Sequence, residues 1–316
     1  MPAEIAYLDG AEIRRLMPPS VARQAIAGAY RAIACGDLEG PVRTAFGPEG
    51  GVSLLMPALS PASVGLKVLH QRPLNPSRGL PTLIGEVLLW DRRTGELKAV
   101  IDAAALTQVR TAALAGHATS LLAPPATRRV ALLGAGGQAY DQAFALLEAT
   151  AATELCIWNR TVERAEALAA RLAPDLPQVE ISLAGTPAEA LRGAGAATLV
   201  TAAEEPLLHA SDLPAEVHLN AMGAYRPDMA ELAPDVIAGA TAVYVDDVPG
   251  ARQEAGDLIQ AAAQDRYDMA ALRDLRSAAG TRRGWTVFKS VGAALFDLAV
   301  AEELVLRRGR EGGAAG

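Results

Sequence analysis

Residues 130–139 read VALLGAGGQA: an apolar run, then Gly134-Ala135-Gly136-Gly137-Gln138-Ala139 at the start of a helical segment. A strand that turns through G-x-G-x-x-A directly into a helix opens a βαβ unit suited to a pyrophosphate. Gly134 permits the tight turn, Gly136 lets the backbone approach an anion, and small Ala139 lets helix and strand pack closely; the first amides of the helix then face that anion. A tight turn with incidental glycines is the alternative, and the rest of the pattern weighs against it. Strand-like runs recur at 154–158, 179–183, 197–201, 216–223 and 241–247. Between two of them, Thr186-Pro187-Ala188-Glu189 joins a capping box to a proline at the first helical position, a helix start. The alternation predicts an α/β protein with a Rossmann doubly wound parallel sheet over residues 122–285, binding a nicotinamide dinucleotide.

The second strand ends Ile157-Trp158-Asn159-Arg160-Thr161, with Arg164 one turn later. A carboxylate there would accept from the adenosine ribose of NAD, and none is present. The helix dipole disfavours an arginine at a helix start unless an anion sits nearby, and a ribose 2′-phosphate is such an anion. Arg160 and Arg164 therefore point to NADPH in preference to NADH; the alternative makes them solvated surface charges.

Outside this part, Leu8 to Gly36 has the spacing of two short helices, followed by β-like runs at 52–56, 64–69, 82–90 and 97–101. Asp91–Gly95 is a hairpin turn signal, and a helix from about Ala105 reaches Leu122 before Pro124-Pro125, where a boundary is expected. A strand at 285–289 (WTVFK) and a helix from Ser290 come last, before a loose ending, GREGGAAG. One strand and one helix bury too little alone, so residues 286–316 are expected to rejoin 1–121 in an α+β domain that binds the substrate.

The net charge of -7 makes non-specific attraction to phosphate backbones or anionic membranes unfavourable, and aromatics at 4% leave little for stacking bases. No nucleic acid or membrane partner is expected. The longest uncharged stretch, Thr111–Thr127, is too short and interrupted to span a bilayer, and MPAEIAYLDG has no basic run ahead of an apolar core. Cys35 and Cys156 form no metal-ligand spacing, so no metal site is expected. These features predict a soluble cytoplasmic protein.

Three cations stand in unusual settings: Arg43 in PVRTAF, Arg110 in LTQVRTAA, and Lys67 inside the apolar run VGLKVL. A lysine in such a run must snorkel or meet a buried anion. Together the three suggest a small acid as substrate.

At this point the sequence resembles the ornithine cyclodeaminase and mu-crystallin family over almost its full length. The match is carried by PVRTAF, GLKVL, the stretch Arg78–Leu114, GAGGQA, LNAMGAYRPDMAEL (Leu219–Leu232), QEAGDL (Gln253–Leu258) and TVFKSVGAALFDLAVA (Thr286–Ala301). The resemblance implies an NAD(P)-dependent enzyme of amino, imino or keto acids. It also implies a Rossmann domain beside a substrate-binding and dimerisation domain, hence a homodimer. Carried over residue by residue, Arg43, Lys67 and Arg110 hold the substrate carboxylate and serve catalysis, with Ser290 beside the substrate. Thr82, Arg110, Thr111, Met222 and Ser290 match positions near the nicotinamide or its phosphates, while Gly137, Gln138, Asn159, Thr161 and Thr201 match other dinucleotide contacts.

One departure selects the reaction. Cyclodeaminases of this family carry an aspartate general base where this chain has Tyr225, and Asp228 aligns with a non-catalytic position. A tyrosine is protonated at neutral pH and cannot replace that base. The expectation is therefore NADPH-dependent reduction of the C=N bond of an imine-2-carboxylate, as in ketimine reductases. An alanine-type dehydrogenase, an ornithine cyclodeaminase and a non-catalytic NADPH-binding crystallin are the alternatives. His70 reads as a structural histidine rather than a proton relay.

Overall fold

The computed structural model describes residues 5–47, 50–278 and 283–314. The chain divides into two compact units: Met1–Arg110 with Ala293–Gly316, and Thr111–Gly292.

The first unit runs β1 (Ala6–Leu8), α1 (Gly10–Leu16), α2 (Pro19–Cys35), β2 (Thr44–Phe46), β3 (Val52–Leu59), β4 (Ser63–Gln71), β5 (Leu83–Asp91), β6 (Leu97–Asp102) and the start of α3 (Ala103–Leu122). Asp9 caps α1 by accepting from the Ala11 and Glu12 amides at 2.9 Å, which satisfies two donors that the first helical turn leaves over. The strands form one sheet in the order β1-β6-β5-β4-β3-β2. Alternation buries Gly65, Lys67 and Leu69 of β4 and Val87 and Leu89 of β5 on one face. The opposite face presents half-buried apolar rows, such as Leu66, Leu88 and Val100 in register across β4, β5 and β6.

The second unit continues with β7 (Arg129–Leu133), α4 (Ala139–Thr150), β8 (Glu154–Trp158), α5 (Val162–Leu172), β9 (Glu180–Leu183), α6 (Pro187–Leu191), β10 (Ala196–Leu199), β11 (Val217–Ala221), α7 (Pro234–Gly239), β12 (Ala242–Val245), α8 (Val248–Glu254), α9 (Gly256–Ala263), β13 (Arg273–Asp274) and β14 (Trp285–Lys289). All pairings in this eight-stranded sheet are parallel, in the order β13-β12-β14-β11-β10-β7-β8-β9. The order reverses at β7, so a crevice opens beyond the carboxyl ends of β7 and β10. Thr186 caps α6 through the Glu189 amide at 3.1 Å, as its capping-box spacing implies.

The last helix, α10 (Ala294–Ala314), belongs to the first unit and packs on α2, β3, β4 and β5, with Phe296 and Tyr30 ring centroids 5.0 Å apart. Of the ending GREGGAAG, the part through Ala314 is helical and 315–316 lie outside the described residues.

Three details differ from the sequence expectation. The strand 285–289 does not rejoin the amino-terminal part: β14 sits between β11 and β12. Its residues Val287, Phe288 and Lys289 are fully buried, and a strand apolar on both faces needs the interior of a parallel sheet. The helix after it starts at Ala294 rather than Ser290, because Asp246 takes donors from Ser290, Val291 and Gly292. The units part between Arg110 and Thr111, inside α3, not at Pro124-Pro125.

Candidate active site

In the first unit the alternation of β4 points Lys67 toward α10, whose first turn carries Asp297. A carboxylate in a first helical turn is favoured by the helix dipole. Lys67 Nζ donates to Asp297 Oδ2 at 2.7 Å and Arg110 Nε to Asp297 Oδ1 at 3.0 Å, so each carboxylate oxygen holds one cation. Lys67 and Asp297 side chains are each 2% exposed. Burial, the largest influence, draws the Lys67 pKa down to about 8; Asp297 opposes it, and Arg110 and half-buried Arg43 add to it. At Asp297 burial acts upward, yet Arg110 and Lys67 outweigh it and hold the carboxyl below its ordinary range. Two of the three expected cations, Lys67 and Arg110, thus share a single acid, which leaves that trio with one positive charge in excess, while Arg43 acts on Lys67 electrostatically.

The anion that Lys67 meets is internal. Sequence reasoning missed Asp297, although the clue that exposed Lys67 also applies here: a charged residue inside an apolar helix, AALFDLAVA. His70 Nδ1 lies 2.9 Å from Ser53 Oγ, which also accepts from Arg72 at 3.0 Å, a structural arrangement. Thr82 lies just before β5, and its carbonyl accepts the Arg72 amide at 2.8 Å.

In the second unit a cavity of about 270 Å³ lies over the glycine turn. Gly134, Gly136, Asn159 and Thr201 line it, together with Arg160, Thr161 and Arg164. Gly134 has φ +112°, and a Cβ there would lie 2.8 Å from the Val200 carbonyl oxygen, so only glycine fits. At Gly136 a Cβ would meet nothing within 4 Å, which leaves room for a ligand against the backbone. Asn159 fixes the turn rather than standing open: its Oδ1 accepts the Ala135 amide at 3.0 Å and its Nδ2 donates to the Thr161 carbonyl at 2.8 Å. Arg160 and Arg164 are exposed at the start of α5, and Thr161 makes no side-chain capping bond there. These residues fit the phosphate-bearing part of a dinucleotide.

Gly137, Gln138, Met222 and Ser290 lie in the same unit but not in the lining of this cavity. Gly137 is exposed, and Gln138 Oε1 is buried without a hydrogen-bond partner. Ser290 donates its hydroxyl to Asp246 at 2.6 Å. Thr111, on α3, has a buried Oγ1 with no hydrogen-bond partner. Two acids escaped the sequence analysis because their partners are remote in the chain. Asp246 ties the segment after β14, and Glu231 ties the segments after β10 and β11 by accepting from Thr201 and Gly223. Beyond β11, Tyr225 is 36% exposed. Arg226 grips Asp228 through two bonds, at 2.9 and 3.1 Å, and holds that carboxyl below its ordinary pKa. His218 is buried between Thr286 and Asn220, and burial takes its pKa down to about 4, so it is neutral.

Comparison with known proteins supplies the family. Residues 8–311 match the model of the ornithine cyclodeaminase/mu-crystallin family. The ketimine reductase mu-crystallin of Mus musculus is 34% identical over 266 residues, 83% of each chain. A Δ1-pyrroline-2-carboxylate reductase of Burkholderia ambifaria is 31% identical over 97% of this chain and 98% of its own. Among solved structures, the Δ1-pyrroline-2-carboxylate reductase of Thermococcus litoralis in complex with NADH and L-proline superposes with a TM-score of 0.91, at 25% identity over 98% of both chains. An archaeal alanine dehydrogenase dimer with bound NAD gives 0.89, at 25% identity over 98% of both chains. On sequence and fold together, the chain belongs to the ornithine cyclodeaminase/mu-crystallin family.

Proposed function

We propose that this protein is an NADPH-dependent ketimine reductase that reduces the C=N bond of a small cyclic imine-2-carboxylate, such as pyrroline-2-carboxylate or piperideine-2-carboxylate. The observation that carries the reading is the Lys67–Asp297–Arg110 cluster, with its excess positive charge and Arg43 within electrostatic reach of Lys67. Relatives named as ketimine and pyrroline-2-carboxylate reductases support the same reaction.

A reduced nicotinamide, when bound, supplies hydride to the imine carbon. Arg43 and Arg110 hold the substrate carboxylate through their planar guanidinium groups, which fixes the orientation of the ring. Lys67, protonated at neutral pH yet with a pKa of only about 8, gives its proton to the ring nitrogen as that nitrogen becomes an amine. Asp297 holds the ammonium in place for that transfer. In the second unit, Arg160 and Arg164 take the 2′-phosphate of the cofactor, the backbone at Gly136 and Gly137 approaches the pyrophosphate, and Thr111 offers its unpartnered hydroxyl.

Cyclisation of ornithine is disfavoured, since Tyr225 supplies no carboxylate and Asp228 is committed to Arg226. NADH is the second reading for the cofactor, favoured by the NADH complex of the Thermococcus litoralis neighbour. The apolar rows on the outer face of the first sheet support a homodimer. Among the described residues no helix is long and apolar enough to cross a membrane, and free Cys35 and Cys156 suit a reducing cytoplasm.

The test supplies purified protein with NADPH or NADH and, in turn, pyrroline-2-carboxylate, piperideine-2-carboxylate, and pyruvate with ammonia. Cofactor oxidation with a cyclic imine, faster with NADPH, is expected. Oxidation only with pyruvate and ammonia would assign an alanine-type dehydrogenase. Ammonia release from ornithine would assign a cyclodeaminase, and binding without turnover a crystallin-like role.

A further inference from the structure

Glu231 is fully buried, yet neither the glycine motif nor the cationic cluster involves it. Its Oε1 accepts both the amide and the hydroxyl of Thr201, at 2.7 and 2.8 Å, and its Oε2 accepts the Gly223 amide at 2.7 Å. The fit is close: a Cβ on Gly223 would stand 2.5 Å from Glu231 Oε1. The carboxylate is itself braced, because the Glu231 and Leu232 amides donate to Asp257 Oδ1 at 2.6 and 2.8 Å. Lys289 Nζ lies 2.7 Å from Asp257 Oδ2, inside the sheet but out of line for a hydrogen bond.

A threonine hydroxyl has one proton and two lone pairs. At Thr201 the proton is already spent on Glu231, while the residue lines the cavity over the glycine turn. What this hydroxyl can still offer a guest is an acceptor. A phosphate oxygen, itself an acceptor, gains nothing there, whereas a sugar hydroxyl or an amide N–H does. The donors of the same cavity, Arg160 and Arg164, come from the start of α5.

We infer that Glu231 is a positioning residue that sets the polarity of the dinucleotide cavity: it pins the Thr201 proton so that Thr201 receives a ribose hydroxyl and turns phosphate away toward Arg160 and Arg164. This rests on the dinucleotide reading above and deepens it.

The test is equilibrium binding of NADPH and NADH by calorimetry, without substrate. Thr201→Val, which removes the acceptor, should raise Kd about tenfold for both dinucleotides, whereas Thr201→Ser should stay within about threefold of the parent. Glu231→Leu, which leaves the Thr201 proton unclaimed, should also weaken binding, but by less than about threefold when added to Thr201→Val, because both act through one hydroxyl. Thr201→Val binding like the parent, or full additivity of the two changes, would overturn the inference while leaving the dinucleotide reading intact. A parent protein that binds neither dinucleotide would overturn both.

Discussion

The Lys67 ammonium and the Asp297 carboxylate meet at 2.7 Å with each side chain 2% exposed, although they stand 230 residues apart in the chain. The second oxygen of the same carboxylate holds Arg110. One acid is thus shared by two cations: it fixes where they point and opposes the burial that draws the Lys67 pKa down.

The first consequence is a pH profile. A donor must be protonated, and Lys67 loses its proton as pH rises through about 8, so kcat/KM should fall above that pH. Asp297→Asn removes the main influence that opposes burial at Lys67, and the descending limb should move to lower pH. Initial rates with a cyclic imine from pH 6 to pH 10 check this; an unmoved limb in the variant would exclude Lys67 as the donor.

Removing the shared acid should cost more stability than removing one of its partners. Lys67→Met leaves Asp297 with Arg110 and should cost about 1–3 kcal/mol, the loss of one charged hydrogen bond. Asp297→Leu leaves two buried cations facing each other and should cost about 3–5 kcal/mol. Urea denaturation of the two variants gives the order directly, and the reverse order would show that the ion pairs are not what holds this region.

Cofactor choice should reside in two arginines. Arg160→Ala combined with Arg164→Ala should raise KM for NADPH roughly ten- to a hundredfold, in line with losing hydrogen bonds to a charged group, and change KM for NADH less than about twofold. Equal losses with both cofactors would mean that neither side chain meets the 2′-phosphate.

His218 should make the fold acid-sensitive. Its pKa is about 4 in the folded protein against an ordinary 6.5. Between those values the unfolded chain binds the extra proton, so stability falls as pH drops through this window, by about 3 kcal/mol for the whole interval. Urea midpoints at pH 7 and pH 4.5 for the parent and for His218→Asn would measure it; the variant should lose less on acidification.

If the outer sheet face is the dimer contact, a charge in its middle should split the dimer. Leu88→Glu, in register with Leu66 and Val100, should shift sedimentation from dimer to monomer. A variant that sediments like a parental dimer would place the contact elsewhere.

What could be read in the sequence was what local pattern carries. The glycine turn, the strands from β7 to β12 and the odd setting of Lys67 are each visible within ten or so residues. The three-residue strands β1 and β2 are too short to show a period. Asp297, Glu231 and Asp246 stayed hidden because a carboxylate declares its role only through partners that folding brings to it, as Ser290 comes to Asp246 from 44 residues away. Strand order is non-local in the same way: WTVFK reads as a strand, but nothing in it says which neighbours it takes.

The place of β14 has a bearing on how the protein is made. The sheet of the second unit needs this strand to join β11 to β12, since β14 pairs with both and they do not pair with each other. Until residue 289 has left the ribosome, the half built on β12 has no seam with the half built on β7. The dinucleotide unit therefore matures late in synthesis, and a nascent chain halted before β14 would expose the flanks of β11 and β12 as unpaired edges open to other chains.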